Sequence, residues 1–293
     1  MQDRQFVICI GAEKAGTTTL HLLADTHPKI LVSKKKETGF FSNDELFDNG
    51  FGWYMETYFA DATNQSILFE ADPNYCYFSK CVERLHQCLP NAKLIFILRN
   101  PVRRAFSQYL MMKKWGLEPL GFEHACAAEA ERISRGNWPK GHFGYLDRSD
   151  YLTQIKNVFR VYPHKQVYFV KFEDFIANQE IEFNKILTWL GLDGVDIHDE
   201  IHANKSSKPK IKILTKLLHH PQYQKIRQWA AHTVGYEKAF SIRAKLENLL
   251  YTNKQMETLS PELYRHVWQG FSGDIAEIEN LTKLDLSCWA EHN

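Results

Sequence analysis

The run Phe6-Val7-Ile8-Cys9-Ile10-Gly11-Ala12-Glu13-Lys14-Ala15-Gly16-Thr17-Thr18-Thr19-Leu20 opens with five apolar residues, turns through two glycines and continues into a threonine-rich segment. The unbroken apolar stretch Phe6 to Ile10 predicts a strand covered on both faces, as in a parallel sheet. A helix is expected from about Thr17 to Thr26, stopped near Pro28. Strand, glycine-containing loop and helix N-terminus in that order make an anion site, because backbone N–H groups point outward and the helix dipole favours negative charge. The spacing is Gly11-x4-Gly16-Thr17-Thr18, whereas a Walker A loop reads G-x4-G-K-[ST]. Thr17 therefore stands where a nucleotide triphosphatase carries lysine, and the lysine sits inside the loop as Lys14.

Working outward, Ser66 to Phe69, Leu94 to Leu98 and Gln166 to Val170 read as further strands. Pro101 opens a predicted helix to about Trp115, in keeping with proline's preference for a first turn. Helical patterns follow at 151–162, at 180–190 up to Gly191, and over 261–282, where Leu263, Val267, Phe271, Ile275, Ile278 and Leu281 keep helical spacing. Strands alternating with helices predict a three-layer α/β/α architecture around a mainly parallel sheet. Ligands in such sheets bind at the carboxyl ends of the strands, and the loops after Ile10 and after Leu98 both lie there. The second ends in Arg99, a cation suited to a phosphate, where a magnesium-dependent kinase would place an aspartate.

The chain has 293 residues, 44% hydrophobic and 24% charged, with a formal net charge of +1. These values fit a globular protein, expected here as a single domain over 1–293. A charge so near zero gives no field for a polyanion, so nucleic acid is not an expected partner and anion recognition must be local. No stretch approaches the roughly 20 apolar residues of a membrane span, and the N-terminus does not read as a signal peptide. A soluble, cytoplasmic protein is the expectation for a chain from which nothing has been trimmed. The six cysteines form no CxxC pair and no zinc-finger spacing, so most are expected as buried free thiols, with one disulfide left open.

The segment Lys14-Ala15-Gly16-Thr17-Thr18-Thr19-Leu20 resembles the 5′-phosphosulfate loop of sulfotransferases that use the donor PAPS (3′-phosphoadenosine 5′-phosphosulfate), above all the carbohydrate type related to heparan sulfate enzymes. Arg99-Asn100-Pro101-Val102-Arg103-Arg104-Ala105-Phe106-Ser107-Gln108-Tyr109 resembles that family's 3′-phosphate motif. Asp285-Leu286-Ser287-Cys288-Trp289 is similar to its C-terminal ending, so the resemblance spans nearly the whole chain, as a soluble bacterial member with a P-loop-like fold. It implies PAPS as co-substrate, PAP as product and no metal. It implies that the amides of Ala15, Gly16, Thr17, Thr18 and Thr19, with the hydroxyls of Thr17 and Thr18, hold the 5′-phosphate. Lys14 would meet the oxygen between phosphorus and sulfur, where charge grows as the sulfuryl group leaves. Arg99 and Ser107 would bind the 3′-phosphate, the planar guanidinium suiting phosphate oxygens. The plain alternatives are an exposed loop lysine and a strand-end arginine in a surface ion pair. At least one of Arg103 and Arg104 is expected as a solvated helix charge.

Lys36-Glu37-Thr38-Gly39-Phe40-Phe41 resembles the K-E-x-x-F-F segment of the heparan-type enzymes, with Gly52-Trp53-Tyr54 also in keeping. It makes Glu37 the expected general base, with Lys34, Lys35 and Lys36 beside it; the bland reading is a solvated charge run. His142 is the second candidate base. Glu70-Ala71-Asp72-Pro73-Asn74-Tyr75 departs from the family's E-K-[ST]-P-x-Y, which leaves Asp72 as a possible contact to a substrate hydroxyl or amine and puts the acceptor in doubt. Lys208, in the basic stretch 204–210, is a further candidate for a phosphate, or simply part of a solvated loop. Tyr168 to Phe175 reads as structural.

The sequence therefore predicts sulfuryl transfer from PAPS to a hydroxyl, or less readily an amine, of a carbohydrate, a glycolipid or another small-molecule acceptor. The alternatives are a sulfotransferase for small phenolic acceptors with a histidine base, a P-loop kinase using ATP and Mg²⁺, and a non-catalytic nucleotide-binding protein. Acceptor identity and oligomeric state stay open.

Overall fold

The computed structural model describes residues 4–63, 65–197 and 257–290, and the backbone of 208–209 and 251–252. Five parallel strands form the central sheet: β1 (Gln5–Gly11), β2 (Ile30–Val32), β3 (Ile67–Ala71), β4 (Lys93–Leu98) and β5 (Val167–Lys171), in the spatial order β2-β3-β1-β4-β5. The apolar run that predicted β1 becomes its central strand. Ile8 lies opposite Glu70 of β3 on one side and Leu94 of β4 on the other, and Val7 to Ile10 are fully buried.

Helices cover both faces. α1 (Thr17–Asp25) follows β1; α2 (Asp44–Phe47) and α3 (Gly50–Tyr58) follow β2; α4 (Ser79–Cys88) follows β3; α5 (Pro101–Lys114) follows β4. Alternate residues of a strand point to opposite faces, and β3 shows which helix meets which face. Glu70 accepts a hydrogen bond from the Tyr54 hydroxyl of α3, whereas the Phe69 ring lies 6.2 Å from His21 of α1. Phe6 packs on Phe51 and Phe59 at 5.9 and 6.1 Å, against the same layer as Tyr54. The expected three-layer α/β/α fold is present.

β1 has β3 and β2 on one flank and β4 and β5 on the other. The chain thus reverses its lateral direction at β1, which opens a crevice at the carboxyl ends of β1 and β4. The loop after β1 and Arg99 after β4 border that crevice.

The described residues group into two compact units: 1–104, 148–203 and 265–293, and 105–147 with 204–264. The first holds the sheet together with the 3-10 turn Asp147–Ser149 up to its boundary, α9 (Tyr151–Phe159) and the pair α10 (Phe172–Ala177) and α11 (Gln179–Leu190) after β5. The second holds α6 (Phe122–Ala127), α7 (Glu129–Ile133), α8 (Asn137–Phe143) and the short strands β6 (Lys208–Pro209) and β7 (Tyr251–Thr252), which pair antiparallel. Its buried Glu118 is held by Arg132 at 2.5 Å and by the Tyr145 hydroxyl at 2.8 Å.

One expectation is corrected. The helical pattern over 261–282 is two helices, α12 (Pro261–Ser272) and α13 (Ile275–Thr282). Gly273 and Asp274 separate them; both residue types disfavour a helix interior, and Asp274 instead serves as the N-cap residue of α13.

Candidate functional site

The loop after β1 is shaped by two glycines. A Cβ on Gly11 would lie 2.3 Å from Cys76 Sγ, so only glycine fits there. Gly16 sits at φ +84° as the N-cap residue of α1, and a Cβ on it would press on the Phe172 ring at 3.3 Å. No side chain caps α1, and the first N–H groups of a helix have no intrahelical acceptor. The amides at the start of α1, with Thr17 and Thr19 buried and Thr18 half-buried, therefore form a donor-rich cradle. Lys14 takes the left-handed conformation, φ 67°, which costs a non-glycine residue energy and is common at ligand sites.

Arg99 closes the cradle from β4. Its Nη1 donates to the Lys14 carbonyl at 2.7 Å, and its guanidinium lies over the Phe172 ring, 4.5 Å from the centroid. Its Nε is buried with no hydrogen-bond partner. Burial lowers the pKa of Arg99, opposed by the charge of Glu173. Among the described residues no carboxylate stands within ion-pair distance of it. The Arg99-Asn100 turn is itself well fixed: Asn100 N donates to Glu173 Oε1 at 3.0 Å, Trp289 Nε1 donates to Glu173 Oε2 at 3.0 Å, and Asn100 Nδ2 donates to the Trp289 carbonyl at 3.0 Å. That gives the Glu173 and Trp289 segments a structural part. A half-buried cation with an enclosed, unused donor, beside uncapped helix amides, is arranged to receive an anion.

Glu37 lies on the turn between β2 and α2 at φ 59°. Its N–H donates to the Ala71 carbonyl at 3.2 Å. Its carboxylate is paired with Lys36 and its side chain is 48% exposed, as a base that must meet an outside substrate requires. The three lysines do not converge on it: Lys34 pairs with Asp61 at 3.0 Å, and Lys35 donates to the Thr38 carbonyl at 3.3 Å.

Behind Glu37 lies a buried polar cluster. Glu70 accepts from Thr38 Oγ1 at 2.5 Å, from Tyr75 at 2.8 Å and from Tyr54. Asp72 accepts from the N–H of Gly39 at 3.1 Å and from Asn74 N and Nδ2, each at 3.0 Å. Burial, then the negative charges of Glu37 and Glu70, pushes Asp72 up to about 7. The idea that Asp72 touches the acceptor is corrected, because the residue is fully buried and both its oxygens accept from Gly39 and Asn74.

Arg104 is fully buried, with Nε donating to Ser149 Oγ at 2.5 Å, so it is not the solvated charge; Arg103 is half-buried. Ser107 is half-buried on the part of α5 that belongs to the second unit. His142, also in the second unit, stacks on Trp138 at 4.3 Å and donates through Nδ1 to the Trp138 carbonyl at 2.8 Å. Burial lowers its pKa. Lys208 lies in β6, and its side chain is outside the described residues, as is the rest of the stretch 204–210. All six cysteines are free, with Cys9, Cys76 and Cys81 buried. Burial pushes Cys9 and Cys81 up to about 12, which makes them inert thiols. No group of three or more metal-ligating side chains occurs among the described residues.

Comparison with known proteins decides the family. A profile described as "Sulfotransferase family" matches residues 45–196, just over half the chain. The chain belongs to the sulfotransferase family.

Among its sulfotransferase relatives is the membrane-associated sulfotransferase kil1 of Dictyostelium discoideum, 36% identical over 148 residues, which are 48% of this chain and 31% of the relative. Heparan sulfate glucosamine 3-O-sulfotransferase 6 of Mus musculus is 28% identical over 205 residues, 68% of this chain and 56% of the relative. The chain thus spans between about a third and just over half the length of these relatives. The crystal structure of a sulfotransferase from Alicyclobacillus acidocaldarius superposes with a TM-score of 0.70 at 24% identity, covering 98% of this chain and 99% of that one, and confirms the fold. No helix among the described residues is long and apolar enough to cross a membrane.

Two sulfotransferase residues escaped sequence reasoning. Arg148 is 2% exposed; it pairs with Glu13 of the β1 loop, donates to Asn74 Oδ1 at 2.6 Å and lies 4.4 Å over the Tyr77 ring. No local motif announces it, because its partners are 74 and 135 positions away. His21 lies one turn beyond Thr17 on α1, buried, with Nδ1 unpartnered. Burial, then the charge of Lys36, pushes it down to about 4, so it is neutral at pH 7.

Proposed function

We propose that this sulfotransferase moves a sulfuryl group from PAPS to a hydroxyl of a carbohydrate or glycolipid acceptor. The observation that carries the proposal is the half-buried Arg99, whose Nε is enclosed and unused and which has no carboxylate partner among the described residues, beside the uncapped N-terminus of α1. Those residues fit a nucleotide with two anionic ends. The amides of Ala15 to Thr19 hold the 5′-phosphate, and Arg99 and Ser107 hold the 3′-phosphate; Lys208 is assigned to the same phosphates.

PAPS supplies an electrophilic sulfur whose bond to the bridging phosphate oxygen breaks as the bond to the acceptor oxygen forms. Glu37 takes the acceptor's proton on its carboxylate. Lys14 faces the bridging oxygen as negative charge develops on it, so its ammonium binds the transition state more tightly than the ground state. Arg99 holds the Lys14 carbonyl and so orients the loop. No residue of this scheme calls for a metal ion.

The carbohydrate acceptor rests on the heparan sulfate enzymes among the relatives and on the Glu37 segment. A cytoplasmic location is part of the proposal, supported by six unpaired thiols and tested by cell fractionation. The test of function is incubation with PAPS carrying a radiolabelled sulfuryl group and either heparan-type oligosaccharides or simple phenols. Label on the oligosaccharide is expected. Label on the phenol alone, lost with His142→Ala and kept with Glu37→Gln, would establish the small-acceptor reading instead.

A further inference from the structure

One continuous run of polar contacts joins the donor loop to the turn that carries Glu37. It begins at Glu13, next to Lys14, whose carboxylate is paired with Arg148. The other arm of that guanidinium donates to Asn74 Oδ1 at 2.6 Å. Asn74 donates through N and Nδ2 to Asp72 Oδ1, each at 3.0 Å. Asp72 Oδ2 accepts from Gly39 N at 3.1 Å, two residues beyond Glu37. The two charged inner members are sequestered, Arg148 2% exposed and Asp72 0% exposed, and Asn74 between them is half-buried.

We propose that Glu13, Arg148, Asn74 and Asp72 form a relay that couples donor occupancy to the placing of Glu37, with Arg148 and Asp72 as its positioning residues. The inference rests on the reading of the β1 loop as the donor site.

The chemistry of the members argues for coupling over mere cohesion. A buried guanidinium and a buried carboxylate are costly, and each is tolerable only while its partners stay in place. Among the described residues Arg148 has a single carboxylate partner, Glu13, and its Nε is buried and unsatisfied. It therefore depends on the loop geometry that the donor's anion would lock. Asp72 holds Asn74 with one oxygen and Gly39 with the other, so a shift of Asn74 is felt at Gly39. The far end is strained at Glu37, φ 59°, and a strained turn needs an external hold. The sequence pattern is in keeping: a carboxylate at position 72, in place of the hydroxyl of the resembled motif, is the residue that reaches both Asn74 and Gly39.

The experiment is hydrogen exchange of the full chain, read by mass spectrometry over residues 36–41 with and without PAP, with PAP affinity measured by calorimetry on the same samples. The amides of Glu37, Gly39 and Phe40 are all hydrogen-bonded, so their exchange is slow enough to follow. In the wild type, PAP is expected to slow exchange there by about fivefold or more, the lower end of ordinary coupling between sites. Asp72→Asn presents an amide N–H₂ where one oxygen accepted, and keeps shape and volume. It is expected to bind PAP within about threefold of wild type while residues 36–41 no longer respond; Asn74→Ala should do the same. PAP binding that leaves 36–41 unchanged in the wild type overturns the relay, and so does an undiminished response in both variants. Failure of the wild type to bind PAP would instead overturn the reading of the donor site.

Discussion

Arg99 Nη1 donates to the main-chain carbonyl of Lys14 at 2.7 Å, so the two cations proposed to meet opposite ends of the donor are held in one hydrogen-bonded unit. Their roles nevertheless separate. Arg99→Ala removes charge-assisted hydrogen bonds to a bound phosphate, and PAP affinity should fall about 10- to 100-fold. Lys14→Ala should leave PAP affinity nearly unchanged and lower kcat about 100- to 1000-fold, the cost of losing one group aimed at developing charge. Calorimetry and steady-state kinetics on the two variants read the difference.

The base assignment makes a similar contrast. Glu37→Gln should lower kcat about 100- to 10,000-fold, the range for a positioned proton acceptor, with the KM for PAPS little changed. His142→Ala should keep most of the activity, since that ring is stacked on Trp138 and already donates to a carbonyl. Initial rates on a common acceptor test both.

Asp72 gives a stability prediction with a definite sign. Its folded pKa is raised from 3.8 to about 7, chiefly by burial. Between those values the folded chain keeps a proton that the unfolded chain has lost, so stability falls as pH rises through the window. Asp72→Asn has no such proton. The Tm of the variant minus that of the wild type should therefore grow more positive between pH 5 and 8, as read by thermal melts in matched buffers.

Gly11 and Cys76 test the loop's packing. Gly11→Ala sets a methyl 2.3 Å from Cys76 Sγ, an overlap expected to cost about 1–3 kcal/mol. Adding Cys76→Ala removes the sulfur and leaves a contact of 3.3 Å to Cβ. The double variant should recover much of the loss in denaturant melts.

The framework was readable wherever apolar runs and punctuation coincide. Phe6 to Ile10 and Leu94 to Leu98 are strands with no polar interruption, fully buried from Val7 and from Leu94 onward, and Pro101 opens α5 as its ring favours. β2, only Ile30–Val32, is too short to leave a periodic trace. The split at Gly273 and Asp274 was masked because the apolar spacing runs on across it. At the site, Lys14, Gly16, Arg99 and Glu37 stand in contiguous motifs and were legible. Arg148, His21 and the burial of Asp72 were not, because each depends on side chains brought together by the sheet from distant parts of the chain.

The central claim is that the cradle of α1 and Arg99 holds a 3′-phosphorylated nucleotide. Calorimetric titration of the wild-type chain with PAP, PAPS, ATP and ATP with Mg²⁺ tests it most directly. The account predicts saturable binding of PAP and PAPS without added metal, and weaker binding of ATP that Mg²⁺ does not improve. Tight binding of ATP with Mg²⁺ and none of PAP would contradict it.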